Sequence, residues 1–455
     1  MQLNVMILAA GQGKRMKSAL PKVLQPIAGK PLLKHVIDVA QALQASSVSV
    51  VYGHRGEMVR EALKTEKVVW VEQAQQLGTG HAVQQALPTM NEDALVLVLY
   101  GDVPLIRRST LEELVKLAGP KAMSLLTMVV DDPTGYGRIV RNARGQVLKI
   151  VEQKDASKSQ LRIRECNTGV LAAPAKLLKK WIARLKNNNA PGEYLLTDIV
   201  AMAVKDKVKV NPLVAPTVAE VLGINDKVQL AEVEALRRAQ MAKDLMLAGV
   251  TLADPARLDV RGALAHGTDV FIDVNAVFEG DVTLGDRVRI GPNCVIRDAR
   301  VGDDTEILAN CVIDGAQIGA KCVVGPFARM RPTTTLADEV HIGNFVEVKN
   351  SKIASGSKAN HLTYVGDADV GRKVNLGAGT IIANYDGANK HRTVIEDNVH
   401  TGSNSVLVAP ITVGAGATVG AGSTVTRAVP GGKLTLARAR QVVIEDWARP
   451  VKPKK

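Results

Sequence analysis

Aromatic residues are scarce in this chain: Phe, Trp and Tyr together make up 3% of its 455 residues. A protein that binds single-stranded nucleic acid by stacking bases on aromatic rings is therefore not expected. The net charge of +13 does not restore that reading. Lys and Arg are spread through both halves, and small polyanionic substrates suit such a charge equally well. Cysteine is also rare. Cys166, Cys294, Cys311 and Cys322 show no C-x-x-C spacing, which argues against both a disulfide framework and a zinc ligand set. No apolar run approaches the ~20 residues needed to span a bilayer. The amino terminus has no charged segment followed by a small-residue cleavage site. A cytoplasmic protein, binding neither membrane nor nucleic acid, is expected.

Glycine, by contrast, is unevenly abundant, with 23 of the 39 glycines in residues 250–455. From about residue 262 that region repeats with a period of six. Ile272, Phe278, Leu284, Ile290 and Ile296 are evenly spaced, and Ile318, Val324 and Ile342, then Val413, Val419 and Val425, keep the spacing. Six matches neither the 3.6 of a helix nor a simple alternation of two. It suits a solenoid whose short strands form the flat faces of a prism while small residues turn the corners, a parallel β-helix.

Before residue 226 the pattern is different. Apolar strand candidates at 48–51, 68–71, 95–100, 125–130, 147–151 and 169–172 alternate with helical patterns at 32–43, 56–63, 79–87, 110–117 and 175–185. Such alternation predicts a mostly parallel sheet covered on both faces, with ligands at the carboxyl ends of its strands. The first strand runs into Leu8-Ala9-Ala10-Gly11-Gln12-Gly13-Lys14-Arg15-Met16, followed by Pro21-Lys22. Glycines there let backbone approach a ligand, and free N–H groups beside Arg15 and Lys22 make a phosphate cradle. The residues alone leave an ordinary strand-to-helix turn equally open. Met16 stands where a dinucleotide fingerprint wants its third glycine, and no Walker-type run exists. Tyr100-Gly101-Asp102 closes the most apolar strand. Its carboxylate is either a turn aspartate or a magnesium ligand beside a phosphate. A helix capped by Asp226 and ended by Gly249 follows, read as an exposed arm. The expected domains are 1–226, a linker helix at 227–249, and 250–455.

In the repeat region, Arg329-Met330-Arg331, Glu347-Val348-Lys349 and Asn360-His361-Leu362-Thr363-Tyr364 interrupt the plain hexapeptides. Stacked coils would bring these groups side by side. Two cations and a histidine suit an acceptor bearing a phosphate and an amine. A solvated charge run with a surface histidine is the competing reading.

The run Leu8–Leu24 resembles the signature of sugar-phosphate nucleotidyltransferases, and Asp102, Gly135-Tyr136-Gly137-Arg138 and Glu152-Gln153 are similar to later motifs of that family. With the hexapeptide region attached, the whole chain resembles the bacterial bifunctional enzymes that join an N-acetylglucosamine-1-phosphate uridyltransferase to a glucosamine-1-phosphate N-acetyltransferase. The fold this resemblance implies is an α/β, Rossmann-like nucleotidyltransferase domain, a linker helix and a left-handed parallel β-helix. It implies the substrates UTP, glucosamine-1-phosphate, N-acetylglucosamine-1-phosphate and acetyl-CoA, a Mg2+ cofactor, and a homotrimer. In the uridyltransferase half, Leu8, Ala9, Ala10, Gly11, Arg15 and Lys22 would hold the nucleotide. Gln73, Gly78 and Thr79 would read the uracil. Tyr100, Gly101 and Asp102 would complete that site, and Gly137, Glu152 and Asn167 would hold the sugar. Asp102 and Asn225 would bind the metal. Lys14 stands where the family often has Thr, which implies altered triphosphate contacts. In the acetyltransferase half, His361 would be the general base. Arg331, Lys349, Tyr364 and Asn375 would hold the sugar phosphate. Ala378, Asn384, Tyr385, Ser403, Ala421 and Arg438 would line the acetyl-CoA path. Glu347 is expected to orient His361.

Overall fold

The computed structural model describes residues 1–189 and 192–452; residues 453–455 of the expected second domain lie outside it. The chain divides into two compact units, Met1–Arg238 and Ala239–Lys455.

The first unit alternates strands and helices: β1 (Leu3–Leu8), α1 (Leu32–Ala42), β2 (Ser47–Tyr52), α2 (Gly56–Ala62), β3 (Val69–Glu72), α3 (Thr79–Ala86), β4 (Leu95–Tyr100), α4 (Arg108–Leu117), β5 (Ala122–Val129), β6 (Arg138–Arg141), β7 (Val147–Val151), β8 (Glu165–Pro174), α5 (Ala175–Ile182), α6 (Asp198–Lys205) and β9 (Lys209–Val214). The sheet order is β9-β5-β8-β4-β1-β2-β3. All neighbours are parallel except β8, which is antiparallel to β4 and β5. The hairpin β6–β7 joins it through Arg138 and Cys166.

A sheet buried on both faces needs strands that are apolar at every position, and β4 is the example. Leu95, Leu97 and Leu99 pack into one core with α1, α2 and α4. Val96 and Val98 pack into the other with α3, α5 and α6. The expected doubly wound, Rossmann-like architecture is therefore present. Three elements escaped the pattern, the short strand β6 among them. Strand β9 contains Pro212 and lies at the sheet edge, where a strand tolerates proline. Helix α6 was not anticipated either.

The second unit is a parallel β-helix. An eleven-stranded sheet forms one face, a seventeen-stranded ladder the others, and every strand pairing in the two sheets is parallel. Register partners Ile272, Ile290, Ile307, Val324, Ile342, Ala359 and Leu376 stack inward, at steps of 17 or 18 residues. Three hexapeptides thus make one coil. The next step, from Leu376 to Thr401, is longer because a loop leaves the prism after Ala383. Cys294, Cys311 and Cys322 are simply buried members of this core.

The corners depart from expectation. Small residues do not turn all of them. Asn275, Asn293 and Asn310 take positive φ at successive coils of one corner, and Phe327, Phe345 and Leu362 continue it with φ of 55°, 56° and 51°. Asparagine tolerates this conformation well, and large side chains adopt it only where surrounding structure over-determines it. Here the stacked coils above and below do so.

Helix α7 (Lys227–Leu247) runs through the division between units. Asp226 caps it, accepting from Gln229 N–H at 2.9 Å, as expected. It is not simply exposed, however. Val233 is buried with Met16, Ile27 and Leu32 of the first unit, and Ala242 is buried in the core of the second.

Candidate functional sites

In the first unit, β1, β3 and β4 end at one cavity of about 480 Å3. Leu8, Ala9, Ala10 and Gly11 line it from β1 and its turn, together with Lys22, Gln73, Gly78, Thr79, Tyr100 and Asp102. A side chain at Gly11 would meet nothing within 4 Å, so the backbone there is open to the cavity. Gly13 has φ of 62°, and a Cβ on it would come 2.8 Å from Cβ of Lys22. This glycine is what lets the Lys22 segment close on the turn. Arg15 is exposed and does not line the cavity, whereas Lys14 does.

Lys22 forms an ion pair with Asp102, and its ammonium also lies 3.3 Å from Asn225 Oδ1. Asn225 is brought in because Ile224 N–H donates to the Asp102 carbonyl at 3.0 Å. One carboxylate and one carbonyl oxygen thus converge on a single cation. Among the described residues no cluster of three or more His, Cys, Asp or Glu could hold a metal. Mg2+ needs no such cluster, since it takes few protein oxygens and keeps water and phosphate for the rest. Asp102 and Asn225 therefore fit it.

Gly137, Glu152 and Asn167 lie together outside the lining of that cavity. Asn167 N–H donates to the Gly137 carbonyl at 2.9 Å, and the Thr197 hydroxyl donates to Glu152 at 3.0 Å. Burial raises the Glu152 carboxyl above the usual range, and Thr197 offsets this only in part. Tyr100 links the two places. Burial pushes its phenol far up, and the charges of Asp102 and Glu152 add to that. Gly101 ends β4 behind it, its N–H bonded to the Leu8 carbonyl at 2.9 Å. Gln12, Gln76 and Glu193 also line the cavity, and no sequence signal singled them out.

In the second unit, Arg331, Lys349, Asn350, Asp367 and Lys390 line a cavity of about 490 Å3. Lys349 is pushed below its usual range, first by the neighbouring Lys390 and then by burial. Asp367, 3.8 Å from Lys349, works against that shift, and its own carboxyl lies below the usual range although burial would raise it. It is held down by Asn350, which donates to it at 2.5 Å, and by Asn384 and Lys349. Cations crowded to this degree are best relieved by an anion. Lys390 was not anticipated; it arrives on the loop that returns through a Tyr385–Lys390 bridge.

His361 is exposed and hydrogen-bonds Asn344 through Nδ1 at 3.0 Å. An amide oxygen can only accept, so Nδ1 carries the proton and Nε2 is the basic nitrogen. This corrects the expectation for Glu347. Its carboxylate is taken by Arg331 at 3.0 Å, and Asn344, the register partner of His361 one coil away, holds the ring instead. Tyr364 lies on the strand that runs from His361 towards Asp367, and Asn375 is exposed on the eleven-stranded face.

Ala378, Ser403 and Ala421 stack on successive coils at one corner. Asn404 N–H donates to Ala378 O at 2.7 Å, Gly422 N–H to Ser403 O at 2.8 Å, and Arg438 to Ala421 O at 2.9 Å. Asn384 and Tyr385 stand apart from this column, Asn384 buried against Asp367 and Tyr385 exposed on the loop.

Known families match three stretches of the chain: a MobA-like NTP transferase domain over residues 5–167, a GMPPB C-terminal domain over 260–361, and six bacterial transferase hexapeptide repeats over 392–427. Full-length relatives reach further. The chain is 58% identical to the bifunctional protein GlmU of Azoarcus sp. (strain BH72), across 99% of this chain and 100% of that one. It is 58% identical to that of Aromatoleum aromaticum over 99% of both, and 56% identical to that of Nitrosospira multiformis over 100% of this chain and 99% of the relative. A glycine-turn cavity on a doubly wound sheet and a hexapeptide prism are thus matched from end to end within single relatives, and the chain belongs to the family of the bifunctional protein GlmU.

Proposed function

We infer that the chain is a two-step transferase making UDP-N-acetylglucosamine. Its second unit moves the acetyl group of acetyl-CoA to glucosamine-1-phosphate. Its first unit then joins N-acetylglucosamine-1-phosphate to the uridylyl group of UTP and releases pyrophosphate. The observation that carries the uridylyl step is the convergence of Lys22, Asp102 and Asn225 under the glycine turn. Backbone N–H groups at Gly11, with Lys22 and Lys14, bind the phosphates. Gln73, Gly78 and Thr79 hold the base, and Gly137, Glu152 and Asn167 hold the sugar. A sugar-phosphate oxygen attacks the α-phosphorus in line as pyrophosphate leaves. Positioning and charge neutralisation carry this reaction, because no covalent intermediate is needed. Asp102 and Asn225 would hold Mg2+, which when bound supplies further neutralisation of phosphate charge.

For the acetyl step, Arg331, Lys349 and Lys390 hold the phosphate of glucosamine-1-phosphate, with Tyr364 and Asn375 against the sugar. His361 Nε2 takes a proton as the amine attacks the thioester carbonyl and the coenzyme thiol leaves. Ala378, Ser403 and Ala421 offer the short side chains a pantetheine arm needs, and Arg438 suits its phosphates. Tyr385, exposed on the loop, would reach the coenzyme from there. A homotrimer in the cytoplasm is part of this proposal.

Two assays on the purified protein test this. Thiol release from acetyl-CoA with glucosamine-1-phosphate reads the second unit, and pyrophosphate release from UTP with N-acetylglucosamine-1-phosphate reads the first. His361→Ala should lower the former by about 100-fold or more and spare the latter. Asp102→Asn should do the reverse. Pyrophosphate release alone would reduce the β-helix to a scaffold.

A further inference from the structure

Gln73 lies on the cavity wall and is 3% exposed. Both N–H bonds of its side-chain amide are committed: Nε2 donates to the Gly78 carbonyl at 3.1 Å and to His81 Nδ1 at 3.0 Å. A primary amide has two N–H groups, so none is left for a ligand. Among the described residues, no group donates to Gln73 Oε1. Turning the amide over would set its oxygen against the Gly78 carbonyl, which can only accept, and cost that bond. With the amide as donor, His81 Nδ1 is the acceptor and the ring's proton sits on Nε2, where the side-chain amide of Gln85, in contact at 3.2 Å, must turn its oxygen inward to accept it.

His81 is held in place by the start of α3. Gly78 has φ of 109°, and a Cβ there would fall 2.6 Å from the Tyr194 carbonyl. Gly80 N–H donates to that same carbonyl at 2.8 Å, and the Thr79 hydroxyl accepts from Leu196 N–H at 3.0 Å. The histidine therefore sits on a braced helical turn, with its Nδ1 aimed at the amide.

We propose that His81 is a positioning residue that fixes the base selectivity of the first unit, by holding Gln73 so that only its oxygen faces the ring edge of the nucleotide base. The inference rests on the nucleotidyltransferase reading above. An acceptor at that point matches the N3–H of uracil and opposes the N3 lone pair of cytosine. A freely turning amide would serve either base, presenting oxygen to one and N–H to the other. A site committed to one hydrogen-bonding polarity rejects the wrong partner strongly, because a mismatched buried group stays unpaired.

The test compares kcat/KM for UTP and CTP, with N-acetylglucosamine-1-phosphate and Mg2+, in the full-length wild type, His81→Leu and His81→Asn. The wild type should prefer UTP. His81→Leu should reduce the UTP:CTP ratio about ten-fold, through a higher KM for UTP and a lower one for CTP, with kcat for UTP little changed. His81→Asn, whose amide oxygen can stand in for Nδ1, should recover most of the ratio. A structural role would lower both nucleotides together. A His81→Leu enzyme that keeps the wild-type ratio overturns the proposal, whether or not its overall activity falls. So does an Asn variant no more selective than the Leu variant. Absence of pyrophosphate release from the wild type would instead overturn the nucleotidyltransferase reading itself.

Discussion

Lys22 shows how much a single side chain carries. Its motif made it a phosphate contact, yet its partners Asp102 and Asn225 lie far along the chain, and only the sheet brings them under it. An ammonium on those two oxygens competes with any divalent cation for them. Lys22→Met should therefore bind Mn2+ more tightly in the absence of nucleotide, by roughly ten-fold for one charged contact removed. Electron paramagnetic resonance of free Mn2+ reads this directly, and unchanged or weaker binding would refute it. Glu152 gives a prediction of the opposite kind. Burial is the largest cause of its raised carboxyl, Thr197 works against that, and Asp198 and Asp155 add to it. A carboxyl raised by folding stabilises the fold only while protonated. Its contribution is present below the ordinary glutamate value and is lost as pH rises through the raised one. Glu152→Gln should thus raise the melting temperature at neutral pH by about 2 °C, and the gain should vanish in acid, while uridylyl transfer falls. Asn344 and Lys390 were illegible beforehand for a shared reason. One acts through a neighbour a full coil away, the other through a loop whose return path no local pattern encodes.

At the level of elements, the central strands were readable because burial on both faces leaves an unbroken apolar run, as in Leu95–Leu99. Edge strand β9 was not, since solvent on one side permits Pro212 and Lys209. The prism faces were readable from the inward Ile and Val of each hexapeptide. Its corners were not, because the conformation there is imposed by the coils on either side. The asparagine column makes this measurable. Asn275 donates to Asn293 at 2.9 Å, and Asn293 to Asn310 at 3.2 Å, all three with positive φ. Asn293→Ala loses both bonds and puts alanine in a left-handed conformation, which costs about 1–2 kcal/mol. Thermal unfolding should fall by roughly 2–4 °C per kcal/mol, with uridylyl transfer unchanged. Asn293→Gly should recover part of the loss. An alanine variant as stable as the wild type would mean the ladder carries no net stability.

For the whole molecule, two chemistries occupy two units, and the product of one is the substrate of the other. We expect that intermediate to travel through bulk solution. A mixture of His361→Ala and Asp102→Asn proteins, each competent in one step, should then make UDP-N-acetylglucosamine from glucosamine-1-phosphate, acetyl-CoA and UTP after a short lag. Excess unlabelled N-acetylglucosamine-1-phosphate should dilute label from the product, and failure to do so in the wild type would mean direct transfer between sites. The coil repeat has a further consequence for how such a chain can change length. With 17 or 18 residues per circuit and three faces per circuit, the second unit behaves like a screw thread. Removing one complete circuit from the coils that precede Phe327 would shorten the thread yet leave every downstream side chain facing the same way. Removing a single hexapeptide would instead swing everything after it through a third of a turn, carrying His361 to another face of the shaft. Tolerated insertions and deletions in this half should therefore come in whole circuits, unless they bulge outward as the Asn384–His391 loop does.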